Sequence, residues 1–279
     1  MQLECVINIS EGRRDVVVAA IAAAGRTACL DVHSDAHHNR SVLTLVGQDD
    51  VVEGAARDVA TAAVRAIDME AHDGVHPRIG ALDVVPFVPW TEATIEDAIR
   101  ARDSFARWAA HVLALPCFVY GPKRALPEVR SHAFADLSPD YGPLVPHPTA
   151  GACAVGARPV LVAYNLWLES DDVALARAIA TQLRVPGRLR ALGLLVGGQA
   201  QVSCNLVDPL SFGPADAFDA VAAQAAVARA ELVGLVPEGV LAAVPSDRWP
   251  ELDLSPSRTI EARLGEVQAG LDEHQGRGV

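Results

Sequence analysis

From Asp50 onward the apolar positions Val51, Val52, Ala55, Ala56, Val59, Ala62, Ala63, Ala66 and Ile67 recur at helical spacing, which predicts one buried stripe on a helix. Short strands surround it. Residues 3–9 have strand composition, Ser10-Glu11-Gly12 breaks the run, and an alanine- and valine-rich helix follows over about 13–24. Residues 29–33 and 41–47 predict two further strands, and 79–88 a fourth. The order β-α-β-β-α-β is the split βαβ arrangement of a ferredoxin-like unit.

Thr94, with Asp97 three residues on, marks the start of a helix reaching about Leu113, and 117–120 read as a short strand. Residues 121–156 are dense in Pro, His and Gly and predict a long loop with one short helix near 127–134. A loop of that length inside a compact chain is functional or a linker. After Arg158 a second round begins. It comprises a strand over 159–168, a helix capped by Ser170 and ending near Leu183, strands near 189–197 and 200–207, and a helix over about 215–231. Residues 232–236 could close this second unit. The expected architecture is α+β, with two ferredoxin-like βαββαβ-type subdomains over 1–157 and 158–265, sheets facing each other and helices outside. Residues 266–279 are polar and read as a flexible tail.

Composition narrows the function. The 279 residues are 51% hydrophobic, enough for a real core, and 23 basic against 35 acidic side chains give a formal charge of −12. Lys123 is the only lysine. No basic cluster offsets the excess acid, which argues against a nucleic-acid partner. The longest apolar run, 16–25, is about half the roughly 20 residues of a bilayer span, so no membrane partner is expected. The N-terminus has no basic n-region and enters a strand directly, unlike a signal peptide. Five well-separated cysteines (Cys5, Cys29, Cys117, Cys153, Cys204) read as reduced core thiols of a cytoplasmic protein.

Five of the nine histidines lie in the first 80 residues, in connections between elements. One group is Asp35-Ala36-His37-His38-Asn39-Arg40; the other is His72-Asp73-Gly74-Val75-His76-Pro77-Arg78-Ile79-Gly80. In a split βαβ unit both loops can lie at the same rim. The His72-x3-His76 spacing invites a metal reading, as in a metallohydrolase, because two histidines at i, i+4 on a helix can chelate zinc. Gly74 and Pro77 oppose a helix there, and no glutamate adjoins the first histidine, so no metal is expected.

These residues also carry a family resemblance. The stretches Glu4-Cys5-Val6-Ile7-Asn8-Ile9-Ser10-Glu11-Gly12, His38-Asn39-Arg40-Ser41-Val42 and Ile67-Asp68-Met69 resemble the glutamate formimidoyltransferase (formiminotransferase) family. So do His76-Pro77-Arg78-Ile79-Gly80-Ala81-Leu82-Asp83-Val84, Tyr141-Gly142-Pro143, Gly156-Ala157-Arg158 and residues 231–237. The likeness extends to about residue 265 and includes no counterpart of the cyclodeaminase half of the bifunctional animal enzyme.

The resemblance implies two subdomains with a folate site in the groove between them, a homodimer, and small-molecule substrates. It further implies transfer of a formimidoyl group between N5 of tetrahydrofolate, the co-substrate, and the amino group of L-glutamate, a step of histidine degradation. His76 matches the family's catalytic histidine, and an imidazole with an ordinary pKa of about 6.5 can act as base and then as acid. The folate-contacting stretch matches Gly142-Pro143-Leu144-Val145-Pro146-His147-Pro148-Thr149-Ala150-Gly151, without the Ser- and aromatic-rich interior of the animal enzyme. Asn8, His38, Asn39, Arg40 and Arg78 complete the candidate substrate-binding set. Arg40, Arg78 and Arg158 are candidates for gripping carboxylates. Two positions depart from the animal pattern. His33 stands where that enzyme has an acid, a role Asp35 could take, and Ile7 replaces a proline. Formyl transfer from 5-formyltetrahydrofolate and catalytically idle folate binding are the alternatives.

Overall fold

Strand β1 (Gln2–Ile9) buries Leu3, Cys5, Ile7 and Ile9 in one hydrophobic core and turns Glu4, Val6 and Asn8 the other way. This is a computed structural model describing residues 1–276, and the chain divides into two compact units, Met1–Pro159 and the residues from Val160 onward. In the first unit β1 leads to α1 (Asp15–Ala24), β2 (Cys29–Asp35), β3 (Arg40–Gln48), α2 (Asp49–Ala66) and β4 (Leu82–Pro89). The Glu11 carboxylate accepts the backbone N–H groups of Arg13 and Arg14, each at 2.9 Å, just ahead of α1.

These four strands are antiparallel neighbours in the order β2-β3-β1-β4, the ferredoxin-like order that the element pattern predicts. Val52, Ala55, Ala56, Val59, Ala60 and Ala63 of α2 form the predicted apolar stripe. Helix α3 (Ile95–Val112) starts at the predicted capping box, in which Thr94 and Asp97 exchange backbone and side-chain hydrogen bonds.

Beyond α3 the structure departs from the expected long loop. After β5 (Cys117–Tyr120) and α4 (Leu126–His132), β6 (Cys153–Ala157) inserts in parallel between β4 and β5, giving the sheet order β2-β3-β1-β4-β6-β5. All five residues of β6 are buried, with Cys153 and Val155 in the α1/α2/α3 core and Ala154 in a second cluster with Val84, Phe118 and Val129. A strand covered on both faces shows no alternation, so Cys-Ala-Val-Gly-Ala carries no periodic signal. Helix α4 packs through Val129 on the face opposite α1, α2 and α3, whereas the element pattern predicts helices on one face only.

The second unit repeats the pattern with β7 (Val162–Leu168), α5 (Val173–Leu183), β8 (Leu189–Val196), β9 (Gln199–Leu206), α6 (Pro214–Ala222) and β10 (Val227–Val233). Its sheet is antiparallel in the order β10-β7-β9-β8, again ferredoxin-like. Three expectations are corrected. Asp172 rather than Ser170 caps α5, accepting the Leu175 N–H at 2.9 Å. The helix expected over 215–231 stops at Ala222, because the residues after it pair with β7 as a strand, a long-range preference that composition does not encode. Residues 266–276, expected as a tail, continue α8 (Ile260–Gly276), which follows α7 (Glu238–Ala242). Residues 277–279 lie outside the described residues. Among the described residues no helix is long and apolar enough to cross a membrane.

Candidate active site

Three loops of the first unit meet around Asn39. The Asp35 carboxylate accepts the N–H groups of His37 (2.8 Å) and His38 (2.7 Å), folding the β2–β3 turn onto itself, and Asn39 takes the left-handed conformation at φ 47°. The Asn39 side chain then joins two neighbours. Its Oδ1 accepts the Gly12 N–H at 3.0 Å, and its Nδ2 donates to the Asp73 carbonyl at 2.9 Å. Gly12 is required by this approach, since a Cβ there would lie 2.6 Å from the Arg40 amide nitrogen. Arg13 closes the ring with an ion pair to Asp73 at 2.6 Å and a bond to the Ala36 carbonyl at 2.8 Å.

Arg78 clamps the His76 loop to this ring. Its Nε and Nη2 donate to the His76 carbonyl at 3.0 and 2.9 Å, Nη2 also reaches the His38 carbonyl at 2.9 Å, and Nη1 reaches the Asn39 carbonyl at 3.3 Å. Nη1 also lies 2.8 Å from both ring nitrogens of His72. All three guanidinium nitrogens thus serve protein groups, an arrangement that shapes backbone. The His72 pKa is lowered by burial and then by the Arg78 charge, and a cation in that position competes with a metal. Among the described residues no group of three or more His, Cys, Asp or Glu side chains is placed to hold a metal ion.

His76 itself is half-buried, and its Nδ1 lies 2.8 Å from the Pro77 carbonyl. A carbonyl only accepts, so Nδ1 carries the proton and Nε2 keeps its lone pair, with no hydrogen-bond partner among the described residues. The ring of the buried His38 stands 5.8 Å away, tilted by 58°. Burial first, then the charges of Arg40 and Arg130, hold the His76 pKa well below the ordinary imidazole value; His38 adds to this and the Pro77 hydrogen bond opposes it. At neutral pH the ring is therefore a neutral base.

The cations responsible converge on Asp83 of β4, a fully buried carboxylate. Its Oδ2 accepts from Arg40 Nη1 at 2.5 Å and from Arg130 Nη2 of α4 at 2.6 Å, while Oδ1 accepts the Ile79 N–H at 2.8 Å. Arg40 also donates to Asn8 Oδ1 from Nε (3.1 Å) and Nη2 (2.6 Å). Asn8, Arg40 and the His76 loop, all singled out in the sequence, are thus brought together by Asp83 and Arg130, which sequence reasoning missed. A lone carboxylate in the apolar strand at 81–88 is the available signal for Asp83. Arg130 has none, because its partner is 47 positions away.

Residues 142–151 join the same site at one end. His147 and Gly151 exchange backbone hydrogen bonds at 2.7 and 2.9 Å, and His147 Nδ1 accepts from the amides of Thr149 and Ala150. This closed turn lies along the His76 loop, with Ala81 donating to the Ala150 carbonyl and Ala152 to the Ile79 carbonyl, both at 2.9 Å. Gly142 adopts φ 93° at the other end, and Leu144 and Val145 between the prolines are 73% and 66% exposed. Arg158 bonds elsewhere, its amide on the Phe87 carbonyl and its Nη1 on the Pro159 carbonyl. His33, expected in a connection between elements, instead lies within β2 opposite Val42 of β3, because the pairing with β3 runs on to Asp35.

A neutral imidazole with one open nitrogen beside a pair of guanidiniums suits an acid–base enzyme acting on an anionic substrate. The comparisons name the family. Residues 2–158 match the formiminotransferase domain, N-terminal subdomain. The chain is 35% identical over 269 residues to a glutamate formimidoyltransferase of Streptococcus pyogenes, covering 86% of this chain and 90% of that protein. It is 34% identical over 271 residues to the glutamate formimidoyltransferase of Thermoplasma acidophilum, covering 86% and 89%. Against the formimidoyltransferase-cyclodeaminase of Sus scrofa it is 38% identical over 272 residues, 84% of this chain but 50% of that longer protein. The chain belongs to the formiminotransferase family.

Proposed function

We propose that this protein transfers a formimidoyl group between N-formimidoyl-L-glutamate and N5 of tetrahydrofolate, a one-carbon transfer of histidine degradation, with His76 as general acid–base. The observation that carries the assignment is the His76 ring, tied at Nδ1 and open at Nε2, in a chain of this family. In the forward direction N5 attacks the amidine carbon and Nε2 takes the N5 proton. The imidazolium then returns that proton to the glutamate nitrogen as the carbon–nitrogen bond to glutamate breaks, so one group serves both half-steps. A depressed pKa suits the second half-step, since it makes the imidazolium a stronger acid.

Tetrahydrofolate would lie against residues 142–151, whose exposed Leu144 and Val145 offer apolar surface to flat aromatic rings and whose turn abuts the His76 loop. Asn8, His38 and Asn39 would form the wall on the amino-acid side, held in place by Arg40 and Arg78. The reading includes a cytoplasmic homodimer acting on small molecules, with no metal. Steady-state assays with the formimidoyl and the formyl donor test it: turnover with N-formimidoyl-L-glutamate is expected, and turnover confined to 5-formyltetrahydrofolate would overturn the donor assignment.

The titration of His76 makes a separate prediction. Because its folded pKa is lowered, the ring is neutral and basic throughout the neutral range, and kcat/KM falls only as pH drops through a midpoint below about 6.5. A pH–rate profile with its acid limb at or above that value would contradict the electrostatic account.

A further inference from the structure

The guanidinium groups of the site differ in how many of their donors the protein uses. Arg78 has all three nitrogens bonded to protein groups. Arg40 likewise commits Nε, Nη1 and Nη2, to Asn8 and Asp83. Among the described residues Arg130 commits Nη2 alone, its Nε is buried with no hydrogen-bond partner, and 19% of its side chain remains open to solvent. Buried polar groups are normally partnered, so an unmatched donor on a charged side chain calls for an acceptor.

The charge count points the same way. Two guanidiniums share one oxygen of Asp83, the carboxylate to which both Arg40 and Arg130 are bonded among the described residues, leaving one positive charge in excess. Nearby Arg13 and Arg14 are already paired, with Asp73 and Glu11. The Asp83–Ile79 hydrogen bond ties this cluster to the loop that presents His76. A guanidinium with spare donors matches the two-oxygen geometry of a carboxylate, and a glutamate derivative carries two of them.

We propose that Arg130 is a further substrate-binding residue, gripping one carboxylate of the amino-acid substrate beside His76. The proposal rests on the reaction assigned above. It also gives the three arginines different roles, in which Arg78 shapes the loop, Arg40 anchors Asp83 and Asn8, and Arg130 meets the ligand.

The test uses Arg130→Gln and Arg130→Lys with three substrates: N-formimidoyl-L-glutamate and the analogues in which its α- or its γ-carboxylate is an amide. For the wild type, one amide should be a poor substrate, the one lacking the gripped carboxylate. Arg130→Gln should raise KM for the diacid about 10- to 100-fold, the range of a lost charge-assisted bond, with a far smaller change in kcat, and should abolish the discrimination against that amide. Arg130→Lys, which keeps the charge opposite Asp83, should recover part of the affinity. A KM raised equally for the diacid and both amides would mark Arg130 as merely structural, and an unchanged KM for the diacid would also overturn the proposal. If the wild type turned over none of the three, the assigned reaction would fail instead. Calorimetry with L-glutamate and its two amides would then still decide Arg130, since the wild type should prefer the diacid and Arg130→Gln should not.

Discussion

Replacing His76 with alanine is expected to lower kcat about 10²- to 10⁴-fold, the usual contribution of a positioned acid–base group. Among the described residues the side chain makes one hydrogen bond, from Nδ1 to the Pro77 carbonyl, and it is half-buried, so its removal should leave the fold intact. The loop keeps its Arg78 clamp, which holds the His76 backbone carbonyl rather than the ring. Calorimetry with 5-formyltetrahydrofolate should accordingly show binding close to that of the wild type. Added imidazole, able to enter the space left by the ring, should restore part of the rate. Turnover within a few-fold of wild type would sink the assignment of His76, while lost turnover together with lost folate binding would point to a collapsed loop.

The second large effect is on stability. Asp83→Asn keeps the shape of the side chain but leaves the Arg40 and Arg130 guanidiniums facing each other without a counter-charge. Removing one side of a buried ion pair costs about 3–5 kcal/mol because the remaining charge is uncompensated. Here the two arginine side chains retain 14% and 19% exposure, which lets water screen part of the repulsion, so the low end, about 3 kcal/mol, is expected. In a domain of this size that corresponds to a fall of roughly 6–12 °C in Tm. Chemical denaturation of the variant measures it directly. A loss under about 1 kcal/mol would mean that the trio is solvated well enough to need no counter-ion. The same substitution also loosens the loop that carries His76, because Ile79 N–H donates to the Asp83 carboxylate.

These expectations draw on features of unequal visibility in the sequence. The helical stripe from Val52 to Ala63, the Thr94–Asp97 capping box and the strand–helix order of the first 89 residues are local, and all three stand in the structure. His76 is visible because it lies in an extended motif. The strand Cys153–Ala157 is hidden, since burial on both faces removes alternation, and Val227–Val233 has the composition of a helix because its pairing with Val162–Leu168 is not local. The site shows the same division. His38, Asn39 and Arg40 are legible as a polar turn, whereas the role of Arg78 as a clamp on three carbonyls is not.

The sequence by itself determined the α+β class, the ferredoxin-like element order of the first unit and the family, and it singled out His76 as a candidate. Each rests on period, cap or motif, interactions among residues close in the chain. Only the tertiary structure decided which nitrogen of His76 is open, what lowers its pKa, and which arginine has donors to spare. The tautomer follows from how the folded loop sets the His76 ring against the Pro77 carbonyl. The lowered pKa follows from burial and then from Arg40 and Arg130, and the spare donors from how those two arginines share Asp83, 43 and 47 positions away in the chain. Electrostatic coupling depends on distance through space and on burial, and neither is written in the order of residues.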